Sequence, residues 1–391
     1  MRMWALDPAI AHLNHGSFGA CPVPVLDAQR AWRHSMERNP TLFLGAELPQ
    51  MLETTRRTLA AFLGAESDGL VFVPNATTGV NAVLRSLEPG LTPGDEIVVL
   101  DHAYNACRNA VEATAGRTGA RPIVAEVPFP GTDLPRAVES VLRAVTGRTR
   151  LVVLDHVTST TALVLPVEEI VAALEPDVPV LVDGAHAPGM VPLEVDALGA
   201  SFYTGNCHKW MCAPKGAAFL WVRSDHRDRI VPVTISHGWR GEFPAASSRF
   251  KRMFDWTGTA DPTPWLCIPT AIDTMSGLAP DGWTGVMAAN RGLALSARDV
   301  LCARLGIDPP APDDMIGSMA TLPLPGDPPD ELIDPLTAAL RERWAIEVPV
   351  FGGTAPRQRL VRISAQRYNQ PAQYERLADA LDEELALEAT R

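Results

Sequence analysis

Paired cysteines are missing from this chain. Its six cysteines (Cys21, Cys107, Cys207, Cys212, Cys267 and Cys302) are scattered singly, with no CxxC pair. That spacing excludes a zinc knuckle and argues against a disulfide framework, so reduced thiols are expected and no metal site. Long apolar runs are missing too, since no stretch approaches the roughly 20 residues that span a bilayer. The start, Met1 to Pro8, lacks the apolar core of a secretory signal, and a cytoplasmic protein is expected. Basic charge is in short supply: 34 Lys and Arg stand against 46 Asp and Glu, a net charge of −12. Phosphate backbones are bound by clustered Lys and Arg, so nucleic acid is not an expected partner. Neither an internal repeat nor a low-complexity linker is present.

What is there is an ordinary globular balance, 46% apolar and 20% charged, over 391 residues. That length exceeds one usual compact core and predicts two domains. Short apolar runs at 70–74, 96–101, 121–127, 151–155, 178–183 and 216–222 alternate with helical patterns at 108–118, 134–145 and 167–174. Runs of Val, Ile and Leu separated by helices predict a mostly parallel, buried sheet in an α/β fold. Beyond about residue 285 the pattern changes. Helical stretches at 288–305, 335–343 and 373–388 surround strands at 318–322 and 360–364. A large domain over 21–285 and a smaller α/β domain over 286–391 follow, with residues 1–20 as an added segment at the site.

Three stretches carry the chemistry. The first is Val71-Phe72-Val73-Pro74-Asn75-Ala76-Thr77-Thr78-Gly79, a strand that stops at a good N-cap and opens a helix. Helix N-termini present free N–H groups and partial positive charge, which hold phosphates. Ala76 and Thr77 supply amides there, and Thr77 or Thr78 a hydroxyl. The second is Val180-Leu181-Val182-Asp183-Gly184-Ala185-His186. An acid ends a buried strand, where ligands of open α/β sheets gather, and can pair with a protonated heterocyclic nitrogen. A plain helix cap is the other reading of Asp183. The third runs Tyr203-Thr204-Gly205-Asn206-Cys207-His208-Lys209-Trp210, then Pro214-Lys215-Gly216. A lysine between turn-forming residues and an apolar strand is not a surface pattern, and burial turns such an amine into a nucleophile.

In this order the stretches resemble the class V aminotransferase group of fold-type I pyridoxal phosphate (PLP) enzymes, which includes cysteine desulfurases. Within it the chain is most similar to the isopenicillin N epimerase branch. Leu13–Gly19, Asp155–Ser159, Gly258–Asp261 and Val361–Ser364 also match, so the resemblance runs nearly end to end. It implies a large domain with a seven-stranded-type sheet. It implies a Schiff-base role for Lys209, pyridine pairing for Asp183, and Ala76, Thr77, Thr78, Asn206 and His208 around the phosphate. Ser159 and His186 would flank the ring oxygen, and Asn14, Ser17 and Arg362 would bind substrate, with Arg362 clamping its carboxylate. Tyr104 is expected to stack on the ring and to serve in proton transfer, with His102 as the alternative stacker. Thr259 resembles a phosphate ligand supplied by a neighbouring subunit, which implies a homodimer.

The implied activity acts at the α-carbon of a small amino-acid substrate, with an epimerase or C–S β-lyase outcome. Transamination and decarboxylation rank below it. Two departures bear on substrate. Pro349–Arg362 holds Gly352-Gly353 but no cysteine, against a desulfurase. Ala260 stands where the epimerase has an arginine, which speaks against isopenicillin N.

Overall fold

The computed structural model describes residues 3–240, 248–328, 334–353 and 358–390. Its centre is a seven-stranded sheet of β2 (Leu70–Val73), β3 (Glu96–Leu100), β4 (Arg121–Ala125), β5 (Thr149–Asp155), β6 (Val180–Gly184), β7 (Phe202–Asn206) and β8 (Ala218–Val222). The spatial order is β2-β8-β7-β6-β5-β3-β4. β8 runs antiparallel to both its neighbours, and the remaining pairs are parallel.

The apolar runs become strands because both faces of the sheet are covered. Every residue of β2, β3, β6, β7 and β8 is buried. Each fully buried Val, Leu or Phe there contributes roughly 1.5–3 kcal/mol relative to an exposed side chain. That surplus offsets the cost of polar groups at the strand ends. The helices 105–118, 134–144 and 167–174 fall where periodicity predicts them, within a few residues.

One strand of this sheet escapes prediction. β7 reads Phe-Tyr-Thr-Gly-Asn, and its Thr, Gly and Asn resemble a turn. Pairing with β6 on one side and β8 on the other makes it a central strand. Neighbours override local propensity here.

The C-terminal part carries a three-stranded antiparallel sheet of β11 (Val350–Gly352), β12 (Arg359–Ser364) and β9 (Met319–Leu324), with β12 in the middle. Helices Gly282–Leu305 and Pro371–Ala389 pack together beside it. The first of these runs through position 285. The chain's start joins this part: β1 (Ala11–His12) pairs in parallel with β10 (Ile346–Glu347), and Ser364 N–H donates to the Leu13 carbonyl. β12 thereby delivers Arg362 to the same cleft as Lys209. Residues 241–247, and residues 354–357 within the Pro349–Arg362 stretch, lie outside the described residues.

Candidate active site

The carboxyl ends of the parallel strands build the floor, as expected for an open α/β sheet. Asp155 and Asp183 are register partners on β5 and β6, and both are buried. Asp183 Oδ1 accepts from the Ala185 N–H at 3.0 Å and Oδ2 from the Cys107 thiol at 3.0 Å. Among the described residues no Lys, Arg or His forms an ion pair with Asp183. Burial, and then the neighbouring Asp183, raise the Asp155 carboxyl far above its ordinary range. Adjacent buried carboxyls oppose each other's ionisation, and this with burial favours the neutral form of Asp155.

Lys209 follows β7 and points back over this floor. Its Nζ lies 2.8 Å from His186 Nε2. Trp210 Nε1 donates to the other ring nitrogen, His186 Nδ1, at 3.3 Å. Burial, and then the charge of Arg362, lower the Lys209 amine to about 7, against the opposing pull of Asp183. The N-terminal segment braces this lysine from behind. His15 Nε2 sits 3.1 Å from the Lys209 carbonyl oxygen, and Nδ1 is 3.0 Å from the Tyr368 hydroxyl. Gly19 has a φ of +69°, and a Cβ there would meet the His208 carbonyl at 2.3 Å, so only glycine permits this approach.

At the other end of the cleft lies the first turn of the helix Ala76–Leu87. Asn75 caps it, its Oδ1 accepting from the Thr78 N–H at 2.9 Å and the Thr78 hydroxyl at 3.0 Å. The Ala76 N–H is taken by Asn206 Oδ1 at 2.9 Å, which ties β7 to the helix start. The expected Ala76 donor is therefore engaged within the protein. Thr77 is the next amide of a turn that offers no intrahelical acceptor. His208 Nδ1 lies 2.9 Å from the Ala217 carbonyl, and burial holds its imidazole down to about 4.

Arg362 closes the cleft opposite. It is buried, and its Nη2 donates to Ser17 Oγ at 3.0 Å while Nη1 donates to the Ser159 carbonyl. Ser17 in turn donates to Asn14 Oδ1 at 2.6 Å. The Nε of Arg362 has no partner, and no carboxylate pairs with the guanidinium among the described residues. Tyr104 caps the helix Asn105–Thr118 with its side chain 47% exposed. His102, by contrast, is buried with Nδ1 2.7 Å from the Thr161 hydroxyl, so its ring is committed to the interior. Thr259 is exposed on the surface of the chain.

The polar groups left unpaired fit pyridoxal phosphate. Asp183 retains lone pairs for a protonated ring nitrogen, Lys209 offers a near-neutral amine, and the Thr77 turn offers an anion site. Arg362 keeps a free donor for a substrate carboxylate. A parallel sheet with an acid, a lysine and a helix N-terminus so disposed defines a fold-type I PLP-dependent enzyme.

Comparison with known proteins agrees. Residues 21–274 match the family model "Aminotransferase class-V". An isopenicillin N epimerase from Amycolatopsis lactamdurans is 37% identical, covering 97% of this chain and 96% of its own. A probable chloroplastic L-cysteine desulfhydrase from Arabidopsis thaliana is 31% identical, covering 96% and 83%. Among solved structures, a cysteine desulfurase from Escherichia coli superposes with a TM-score of 0.80 at 21% identity, covering 98% of this chain and 97% of its own. A cystine C–S lyase in complex with cysteine persulfide gives 0.78 at 22% identity, covering 95% and 97%. The chain belongs to the class V aminotransferase family, and its cofactor is pyridoxal 5′-phosphate.

Four site residues are not singled out by sequence reasoning: Cys107, Asp155, His15 and Trp210. Asp155 had the same strand-end signal as Asp183, and Trp210 adjoins the lysine. Nothing local marks Cys107, which reaches Asp183 only through the fold. All six cysteines are buried, and burial raises every thiol, Cys302 least, to about 11. No cluster of His, Cys, Asp and Glu suited to a metal occurs among the described residues, and no helix there is long and apolar enough to cross a membrane.

Proposed function

We propose that this enzyme labilises a bond at the α-carbon of an α-amino acid, with an epimerase or C–S β-lyase outcome, as a cytoplasmic homodimer. The observation that carries this reading is Arg362, a buried guanidinium without a carboxylate partner among the described residues, facing the same cleft as Lys209. A free α-carboxylate is the anion that satisfies it, in bidentate geometry.

Asp183 would hold the cofactor's ring nitrogen, the Thr77 turn with Asn206 and His208 would hold its phosphate, and Tyr104 would stack on its ring. PLP, when bound, supplies an electron sink for the α-carbon. Lys209 Nζ, near-neutral at physiological pH, takes the α-proton and returns it. Inversion needs a second group on the opposite face, and Tyr104 is our assignment. Ser17 and Ser159 hold Arg362 in register for the carboxylate.

The dimer is supported by the exposure of Gly258, Thr259 and Ala260, which frees Thr259 for a neighbouring site. Two aromatic rings near the cleft, Phe18 at 75% and Tyr104 at 47% exposure, offer apolar surface to cover. Unpaired thiols are in keeping with a reducing cytoplasm. They also speak against sulfur relay through the protein, because a thiol raised by burial is a poor nucleophile.

The test is incubation with isopenicillin N, S-substituted cysteines and free cysteine, following stereochemistry, keto-product release, sulfide and protein-bound persulfide. Inverted amino acid or keto product without persulfide is expected, with isopenicillin N turned over poorly because of Ala260. A persulfide on any cysteine overturns the reading.

A further inference from the structure

We infer that Trp210 is a positioning residue that locks His186 in its Nε2–H tautomer, so that His186 donates to Lys209 Nζ and holds the lysine neutral. An indole N–H can only donate. With Trp210 Nε1 at 3.3 Å from His186 Nδ1, that ring nitrogen has to present its lone pair. The imidazole proton then sits on Nε2, 2.8 Å from Lys209 Nζ. Between these two nitrogens the Nε2–H donates, and the amine accepts with its own lone pair. An ammonium at Nζ would need Nε2 bare and the proton on Nδ1, which would set two N–H groups head-on at the indole.

The surroundings agree. Trp210 is wholly buried and His186 nearly so, which fixes the ring pair without competing water. Burial above all, and then the facing groups Lys209, Arg362, His15 and His208, disfavour protonation of His186. Burial is the largest influence against the Lys209 charge and Arg362 adds to it, while Asp183 and Cys107 favour the charge. The tautomer lock therefore works with burial and Arg362 against the pull of Asp183 toward the ammonium. A hydrogen bond to the neutral form lowers a base's pKa, and freeing the tautomer removes that bias.

The inference rests on Lys209 being the cofactor lysine, but its test reads the imidazole directly. Full-length protein carrying ¹⁵N-histidine, with and without PLP, reports the tautomer by ring-nitrogen shifts, His186 being assigned with His186→Gln. His186 in the unmutated, cofactor-stripped chain is expected to be Nε2-protonated. Trp210→Phe should populate the Nδ1–H form and move the pH midpoint of PLP uptake up by roughly half a unit to one unit. In a His186→Gln background, Trp210→Phe should add nothing further, because its effect passes through His186. An Nδ1-protonated His186 in the unmutated chain overturns the inference, as does a Trp210→Phe midpoint that does not move or a shift that survives His186→Gln. If Trp210→Phe fails to fold, the spectrum of the unmutated chain decides the tautomer alone. Failure of the Lys209 assignment would show separately, as a borohydride-trapped adduct on Lys209→Ala.

Discussion

Arg362 Nη2 donates to Ser17 Oγ at 3.0 Å, although the two residues lie 345 positions apart. This bond joins the first segment of the chain to the middle strand of the C-terminal sheet, and it sets the guanidinium across the cleft from Lys209.

Removing that guanidinium should weaken transition-state binding of the substrate. Truncating one partner of a buried charge pair costs about 2–5 kcal/mol. Arg362→Ala should therefore lower kcat/KM at least roughly tenfold on the true substrate. Steady-state kinetics check this, and unchanged efficiency would remove Arg362 from the substrate site.

Lys209→Ala should abolish the borohydride-trapped adduct between PLP and the protein. Peptide mapping of the reduced wild-type enzyme should find the modification at Lys209. Trapping that persists in the variant would point to Lys215.

Uptake of PLP by the stripped enzyme should rise with pH through a midpoint near 7. The sign follows from the amine. Burial and Arg362 lower the Lys209 amine to about 7. Below that value it is protonated and cannot attack an aldehyde, and above it the lone pair is free. Stopped-flow absorbance across pH 5.5–9, roughly 1.5 units below to 2 above the midpoint, measures the profile. A midpoint near the ordinary lysine range would contradict the buried, near-neutral amine.

Asp183→Ala should bind PLP weakly and lose orders of magnitude in turnover, since on the proposed reading it deletes the carboxylate that pairs with the ring nitrogen. Asp183→Asn should keep more of the binding than of the rate. Near-normal turnover in either variant would reject the pairing.

Light scattering at assay concentration should report about twice the chain mass, because Thr259 is exposed on its own subunit. Thr259→Ala should then weaken PLP retention without altering that mass. A fully active monomer would rule out a shared site.

The sequence by itself determined the alternation of buried strands and helices, since runs such as Ile97–Leu100 and Val180–Val182 can only be covered on both faces. It also marked Asp183 and Lys209, because charged residues at the ends of apolar strands carry a desolvation cost that demands a partner. Arg362 was marked only by the resemblance of Val361–Ser364 to the family. The tertiary structure decided the rest. β7 is a strand only because β6 and β8 satisfy its backbone, and Tyr104 rather than His102 is free because Thr161 claims the His102 ring. Cys107 meets Asp183, and Ser17 meets Arg362, through contacts 76 and 345 residues apart in the chain. No local pattern encodes such pairs, because the energy that fixes them comes from packing whole sheets and helices around the cleft.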